Sequence, residues 1–178
     1  MRIIAGIKKG RKLICKYDAK TRPTTDRVRE NVFNTLFGLV EMKGAHVLDL
    51  FAGIGAYGLE CHSRGAKEVT FNDADKKAVD IIKQNCKSVG CNGTVWHMDF
   101  RLALEKLKSK QFDIIFLDPP YESDSAIEAF EFITQHKMLA ENGILVIESE
   151  KQLPIEALKI KEYGRALLYF VNPNLQLC

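Results

Sequence analysis

Residues Val47–Glu60 read VLDLFAGIGAYGLE. An apolar run carries one acid, Asp49, then a glycine turn, then a helix-like start. Gly53, Gly55 and Gly58 form GxGxxG, the spacing that lets backbone approach a ligand closely between a strand and a helix. The pattern alone is weak, because glycine in such a turn also serves the turn itself. Asp49 sharpens it. A carboxylate inside an apolar strand is costly without partners, so it either orders the neighbouring loop or faces a cationic ligand. The lead DLFA before the first glycine is also longer than nicotinamide-binding folds usually have.

Outward from this stretch, strands and helices alternate. Apolar runs predict strands over His46–Phe51, Glu68–Asn72, Thr94–His97, Asp113–Leu117 and Ile144–Glu148. Helical spacing falls at about Gly55–Arg64, Lys76–Ser88, Arg101–Lys108 and Asp124–His136. KMLAENGILVIES predicts a helix end, a glycine turn and a buried strand. IKEYGRALLYFVN predicts a strand–turn–strand. This order implies an α/β fold: a mostly parallel sheet with helices on both faces and an antiparallel C-terminal edge hairpin. Ahead of it, Arg2–Ala5 and Lys12–Lys16 flank the turn KKGR as a short β-hairpin. RPTTDRVRENVFNTLFGLV then starts a helix, with Thr24 or Thr25 as N-cap and Val28, Val32, Leu36 and Leu39 at helical spacing.

Two further strands end near acids. VTFNDAD closes on Asp73, about 20 residues past the glycines, where an acid suits ribose hydroxyls. Asp75 suits the cap of the next helix. TVWHMDF ends in Asp99, an acceptor suited to an adenine amine, and Phe100, which offers apolar surface and a backbone N–H. Open α/β sheets bind ligands at this carboxyl edge. Together the acids describe a pocket for an adenosine carrying positive rather than phosphate charge.

FLDPPYESD, Phe116–Asp124, ends another apolar run with an acid, two prolines and an aromatic ring. The prolines fix two φ angles and remove two donors. They also push Asp118 away from helical geometry. The bland reading is a rigid loop with Tyr121 as packing.

The chain's 178 residues, 46% hydrophobic and 28% charged, suit one globular domain. No apolar run nears the ~18 residues of a membrane helix, and no signal peptide is read at the start. Five cysteines without a CxxC pair suggest neither a disulfide framework nor a zinc site, so a reducing cytoplasm is expected and no metal. Net charge is +3, but residues 1–29 hold ten Lys/Arg against Asp18 and Asp26, a net +8. A basic leader on a mildly acidic body fits a polyanion partner or a solubilising face.

VLDLFAGIGAYGLE, VTFNDAD, HMDF and DIIFLDPPY together resemble an S-adenosylmethionine-dependent methyltransferase of the Rossmann-like class. With RIIAGIKKGRKL and RPTTDRVRENVFNTL in the same order, nearly the whole chain is similar to the RsmD-type 16S ribosomal RNA guanine-N2 methyltransferase family. The resemblance implies a seven-stranded sheet and a single domain, 1–178: a basic β extension over 1–21 and a catalytic core over 22–178. It assigns Asp49, Phe51, Gly53, Gly55, Gly58, Asp73, Ala74, Asp99, Phe100, Thr24 and Arg27 to S-adenosylmethionine. Asp73 stands where Glu is common, and Tyr57 where Leu is common. It assigns Asp118, Pro119, Pro120 and Tyr121 to catalysis. Ribosomal RNA is the implied partner, contacted by Lys8, Lys9, Arg11, Lys12, Arg22 and Tyr121. A monomer without membrane contact is expected.

The chemistry behind the box is electrostatic. An exocyclic base amine is a poor nucleophile because its lone pair is conjugated with the ring. The Asp118 carboxylate and the Pro119 carbonyl offer two fixed acceptors for its N–H groups. Four alternatives compete. A DNA adenine-N6 methyltransferase usually needs a recognition domain, for which there is little room. A protein-glutamine methyltransferase more often has Asn before the prolines. A nicotinamide oxidoreductase leaves DPPY unexplained. A non-enzymatic RNA-binding module leaves the cofactor acids unexplained.

Overall fold

A computed structural model of the chain describes residues 1–15, 26–120 and 124–174. The elements run α1 (Asp26–Leu36), β1 (His46–Asp49), α2 (Ala56–Ser63), β2 (Glu68–Asp73), α3 (Lys76–Val89) and β3 (Thr94–His97). They continue α4 (Phe100–Leu107), β4 (Phe112–Leu117), α5 (Ser125–Gln135), β5 (Leu139–Ser149), β6 (Lys159–Tyr163) and β7 (Ala166–Val171). One seven-stranded sheet has the order β3-β2-β1-β4-β5-β7-β6. The first five of these pair in parallel, whereas β7 is antiparallel to both β5 and β6. The expected mostly parallel sheet with a C-terminal edge hairpin is borne out.

Period-two alternation explains the layers. Val47, Ile114, Phe116 and Val146 point into one core with Phe33, Leu59 and Ile82 of the first three helices. Leu48, Ile115, Leu117 and Ile147 point into the other with Leu104 and Ile133 of α4 and α5. Continuous apolar strands result because both faces are covered.

Gly58 shows why the helix–strand packing needs glycine. A Cβ there would lie 2.3 Å from Phe71 Cε1 and 2.8 Å from Val69 Cγ1. Glycine inside a helix costs ~1 kcal/mol relative to alanine, so close packing outweighs propensity here. Gly58→Ala should therefore destabilise the protein despite its better propensity, because overpacking costs roughly 1–3 kcal/mol or more against a propensity gain of ~1 kcal/mol. Urea unfolding would measure it, and an unchanged or higher midpoint would refute it.

Three boundaries differ from expectation. KMLAENGILVIES contains no helix end: α5 stops at Gln135, and β5 already begins at Leu139. Phe112 pairs with Leu139 but Ile114 pairs with Ile144, so β5 carries three more residues than β4 between those pairs. Asn172 and Asn174 donate side-chain N–H groups to the Glu141 and Ala140 carbonyls and hold this bulge. The first strand ends at Asp49, which leaves Phe51 in the turn. The N-terminal hairpin is shorter than expected, a single bridge between Arg2 and Lys12. Ile3, Gly10 and Leu13 N–H donate across it to Arg11, Ile3 and Met1, while the next residues turn toward α2, where the buried Glu60 carboxylate accepts from Ile4 and Ala5 N–H at 2.7 and 2.9 Å. Ile3 and Leu13 sink into the first core. Thr24, Thr25 and Lys16 lie outside the described residues.

Candidate active site

The chain reverses direction across the sheet between β1 and β4, so a crevice opens at their carboxyl ends. Asp49 closes β1 there and Asp118 follows β4.

Asp49 is 2% exposed, and its Oδ2 accepts the Gly58 N–H at 3.0 Å. It therefore caps the first turn of α2 from the preceding strand. Burial pushes its carboxyl up to about 7; the Gly58 bond opposes this and the Asp73 charge adds to it. Such a group accommodates a nearby cation by releasing its proton.

The glycine loop is stitched to β2. Ala52 N–H donates to the Asn72 carbonyl at 2.9 Å, and Asn72 Nδ2 donates to the Leu50 carbonyl at 3.1 Å. Gly53 N–H donates to Asp73 Oδ2 at 2.8 Å, and Asp75 N–H donates to Asp73 Oδ1 at 2.8 Å. Burial raises the Asp73 carboxyl against these bonds. Gly53 (φ 56°) and Gly55 (φ 80°) take left-handed backbone, and a Cβ at Gly53 would meet only open space. That open face, bordered by the buried Asp49 and the half-buried Asp73, fits a ligand that is positive near the loop. Asp75 caps α3 by accepting from Lys77 N–H at 2.7 Å, as its position suggested.

At β3 the geometry is less direct. Asp99 caps α4, accepting from Arg101 N–H at 2.9 Å, and stays exposed. Phe100 is buried with its ring 5.1 Å from Phe51, a half-buried aromatic. His97 Nε2 lies 3.1 Å from the Ala74 carbonyl, tying the ends of β2 and β3 together.

Asp118 is half-buried, with Pro119 buried and Pro120 exposed beside it. Its carboxyl is pushed well above the usual range by burial, then by Glu148 and Asp49. Glu148, near the end of β5, is 5% exposed and accepts from the Tyr57 hydroxyl at 3.4 Å. Tyr57 stacks on Phe116 at 4.7 Å, so its hydroxyl is held over this corner. Neither residue was singled out as a site residue from the sequence. The available signal for Glu148 was an apolar run ending in an acid, the same form as VLD and FLD.

A cavity of about 100 Å³ lies beside Pro119 and Pro120, bordered also by Ala126, Ile127, Glu148 and Leu153. A larger groove, about 290 Å³, lies apart from it between α1 and β6 beside Asn34, Lys159 and Lys161.

The described part of the basic leader, residues 1–15, is not brought to the crevice. Lys8 N–H donates to Ser63 Oγ, at the far end of α2. Eight residues of helix place that point about 12 Å below the carboxyl edge. Lys9, Arg11 and Lys12 are exposed alongside. Arg27 is exposed on the first turn of α1. Arg22, Thr24 and Tyr121 lie outside the described residues.

A family model described as Conserved hypothetical protein 95 matches residues 1–172. The chain belongs to this family. Ribosomal RNA small subunit methyltransferase D of Haemophilus influenzae is 36% identical, over 87% of this chain and 81% of that protein. The Escherichia coli K12 protein of the same name is 33% identical, over 84% and 75%. A solved hypothetical protein of Thermus thermophilus superimposes with a TM-score of 0.84 at 28% identity, covering 96% and 98% of the two chains. The resemblance read from the motifs is borne out, and the chain is a methyltransferase with the Rossmann-like fold of the S-adenosylmethionine-dependent class. Among the described residues no cluster of acids, histidines and cysteines suits a metal, and no helix is long and apolar enough to cross a membrane.

Proposed function

We propose that this protein methylates the exocyclic N2 amine of a guanine in small-subunit ribosomal RNA, with S-adenosylmethionine as donor. The observation that carries it is Asp118, held by two prolines at the switch point beside the buried Asp49. The names of the relatives supply the polymer. Asp49, Gly53, Gly55, Gly58 and Asp73 border the donor, with Phe51, Ala74, Asp99 and Phe100 toward its base. Thr24 and Arg27 remain part of this assignment. The domain is single, with residues 1–21 as a basic extension. It acts as a monomer in the cytoplasm, on RNA that is naked or within an assembled small-subunit particle.

Bound S-adenosylmethionine supplies an activated methyl group. The chain's own residues do the positioning. Asp118 and the Pro119 carbonyl accept the two N–H groups of the amine and favour its pyramidal form. Pro120 stiffens that geometry, and Tyr121 offers its ring to the base. The methylated nitrogen must lose a proton. A carboxylate whose pKa lies above the usual range is the better acceptor for it.

The test is mass spectrometry of ribosomal RNA from a strain lacking the protein, followed by labelling with the purified enzyme. One N2-methylguanosine missing from small-subunit RNA, and restored by the enzyme, is expected. Label on adenine, or none on this RNA, would overturn the reading.

The basic leader gives a separate expectation. Lys8, Lys9, Arg11 and Lys12 stand off the crevice, so they should hold phosphates remote from the target base. Replacing them with alanine should weaken RNA binding and flatten its dependence on salt, by about one slope unit for each phosphate no longer neutralised. Turnover at saturating RNA should change little. An unchanged slope would remove this segment from the interface.

A further inference from the structure

The proposed mechanism uses one carboxylate of the crevice wall and leaves another unexplained. Glu148 is buried at the end of ILVIES, where an acid is costly to place. Leu117 of β4 pairs with Ile147 of β5, so Asp118 and Glu148 leave adjacent strands side by side. Neighbouring strands lie about 4.8 Å apart. Glu148 also borders the cavity behind the prolines, whose other walls include Ala126, Ile127 and Leu153. At about 100 Å³ that space equals roughly three waters' share of liquid, enough for one edge of a base.

A planar ring suits the apolar side of this cavity, Pro119, Ala126, Ile127 and Leu153; Glu148 supplies a buried acid, and Asp124, Ser149, Lys151 and Gln152 form the polar remainder. Guanine presents N1–H and the N2 amine next to each other, two donor groups for two adjacent acceptors. Adenine presents its amine beside N1, an acceptor, which would face a carboxylate with no proton between them. We infer that Glu148 determines base specificity, accepting the N1–H of the guanine whose N2 amine Asp118 holds. The inference rests on the guanine-N2 reading above and adds the group that enforces it.

Tyr57 is the positioning residue for this acceptor. Its ring is clamped against Phe116, and its hydroxyl donates to Glu148 Oε2. The two oxygens of a carboxylate offer about four acceptor sites, so one group serves the hydroxyl and a ligand donor together. The mutual influence of Glu148 and Asp118 agrees with their closeness. A site built to bond a substrate donor rejects an analogue that lacks it far more strongly than an apolar pocket rejects a misfit.

The experiment compares target RNA carrying guanine with the same RNA carrying 2-aminopurine at that position. 2-Aminopurine keeps the N2 amine but has no N1–H. The wild-type enzyme should prefer guanine in kcat/KM by about 100-fold or more. Glu148→Gln, which can donate to an unprotonated N1, should shrink that ratio at least tenfold while cofactor affinity stays constant. Equal methylation of both bases by the wild type, a comparison that needs no variant, would overturn the inference and leave the guanine-N2 reading intact. An unchanged ratio in a folded Glu148→Gln enzyme would do the same. If the wild type methylates neither base at N2, the reading itself fails.

Discussion

Asp118→Ala should lower kcat by about 10²–10³-fold, the cost of removing one preorganised partner from a reacting group. The dissociation constant for S-adenosylmethionine should stay within a few fold. Asp118 stands beyond the end of β4, whereas the glycine loop is held by Asp49, Asn72 and Asp73. Loss of the fold would not explain the effect. The folded state holds the Asp118 carboxyl above its ordinary pKa, so its ionisation opposes folding once pH exceeds the unfolded value. Removing it relieves that opposition at neutral pH. Asp118→Asn separates the two proposed roles: the amide oxygen still accepts an N–H but cannot take a proton. Single-turnover kinetics and calorimetry on the same preparations check this. Parallel loss of turnover and cofactor binding in Asp118→Ala would make the residue structural.

The layers were legible because both-face burial leaves continuous apolar runs. Thr94–His97 was read to the residue, and the hairpin of β6 and β7 followed from YGRA. Where a strand departs from the ladder, the pattern fails. The bulge of β5 is held by Asn172 and Asn174, far along the chain, and nothing in AENG announces them. The N-terminal hairpin fails for the same kind of reason: Ile3, Gly10 and Leu13 still donate across it, but the Ile4 and Ala5 donors go to Glu60 of α2 instead.

The site was legible as positions, not as partners. Asp49, Asp73, Asp99 and Asp118 were read from their places at strand ends. Their partners in the fold are backbone N–H groups for the first three, which depend on how the following loop returns. Asp99 is the clearest case, because one of its oxygens caps α4. Glu148 escaped notice because an acid at the last residue of a buried strand commonly reaches solvent at the sheet edge. Its place between β4 and β7 and the covering by Tyr57 make this one buried.

Asp49→Asn should change stability in a strongly pH-dependent way. The folded state raises this carboxyl from 3.8 to about 7, chiefly by burial. Between those values the folded protein binds a proton that the unfolded chain has released. Asp49 thus contributes stability that is fully present below about pH 4 and is lost as pH rises through about 7. Asparagine is neutral throughout, and its amide oxygen can still accept the Gly58 N–H. The variant should gain on the wild type by about 1.4 kcal/mol per pH unit across that window, about 4 kcal/mol in all. Chemical unfolding at pH 4, 5.5, 7 and 8 measures the gap, and a gap that stays constant would sink the assignment. Cofactor binding should move the opposite way. A cationic donor is favoured by an ionised Asp49, so the wild-type affinity for S-adenosylmethionine should rise with pH through about 7. The uncharged-sulfur product, S-adenosylhomocysteine, should respond less. Asp49→Asn should therefore yield a more stable protein at pH 8 that binds the donor more weakly and discriminates less between donor and product. If both ligands lose affinity equally, Asp49 serves the loop through Gly58 and not the charge of the donor.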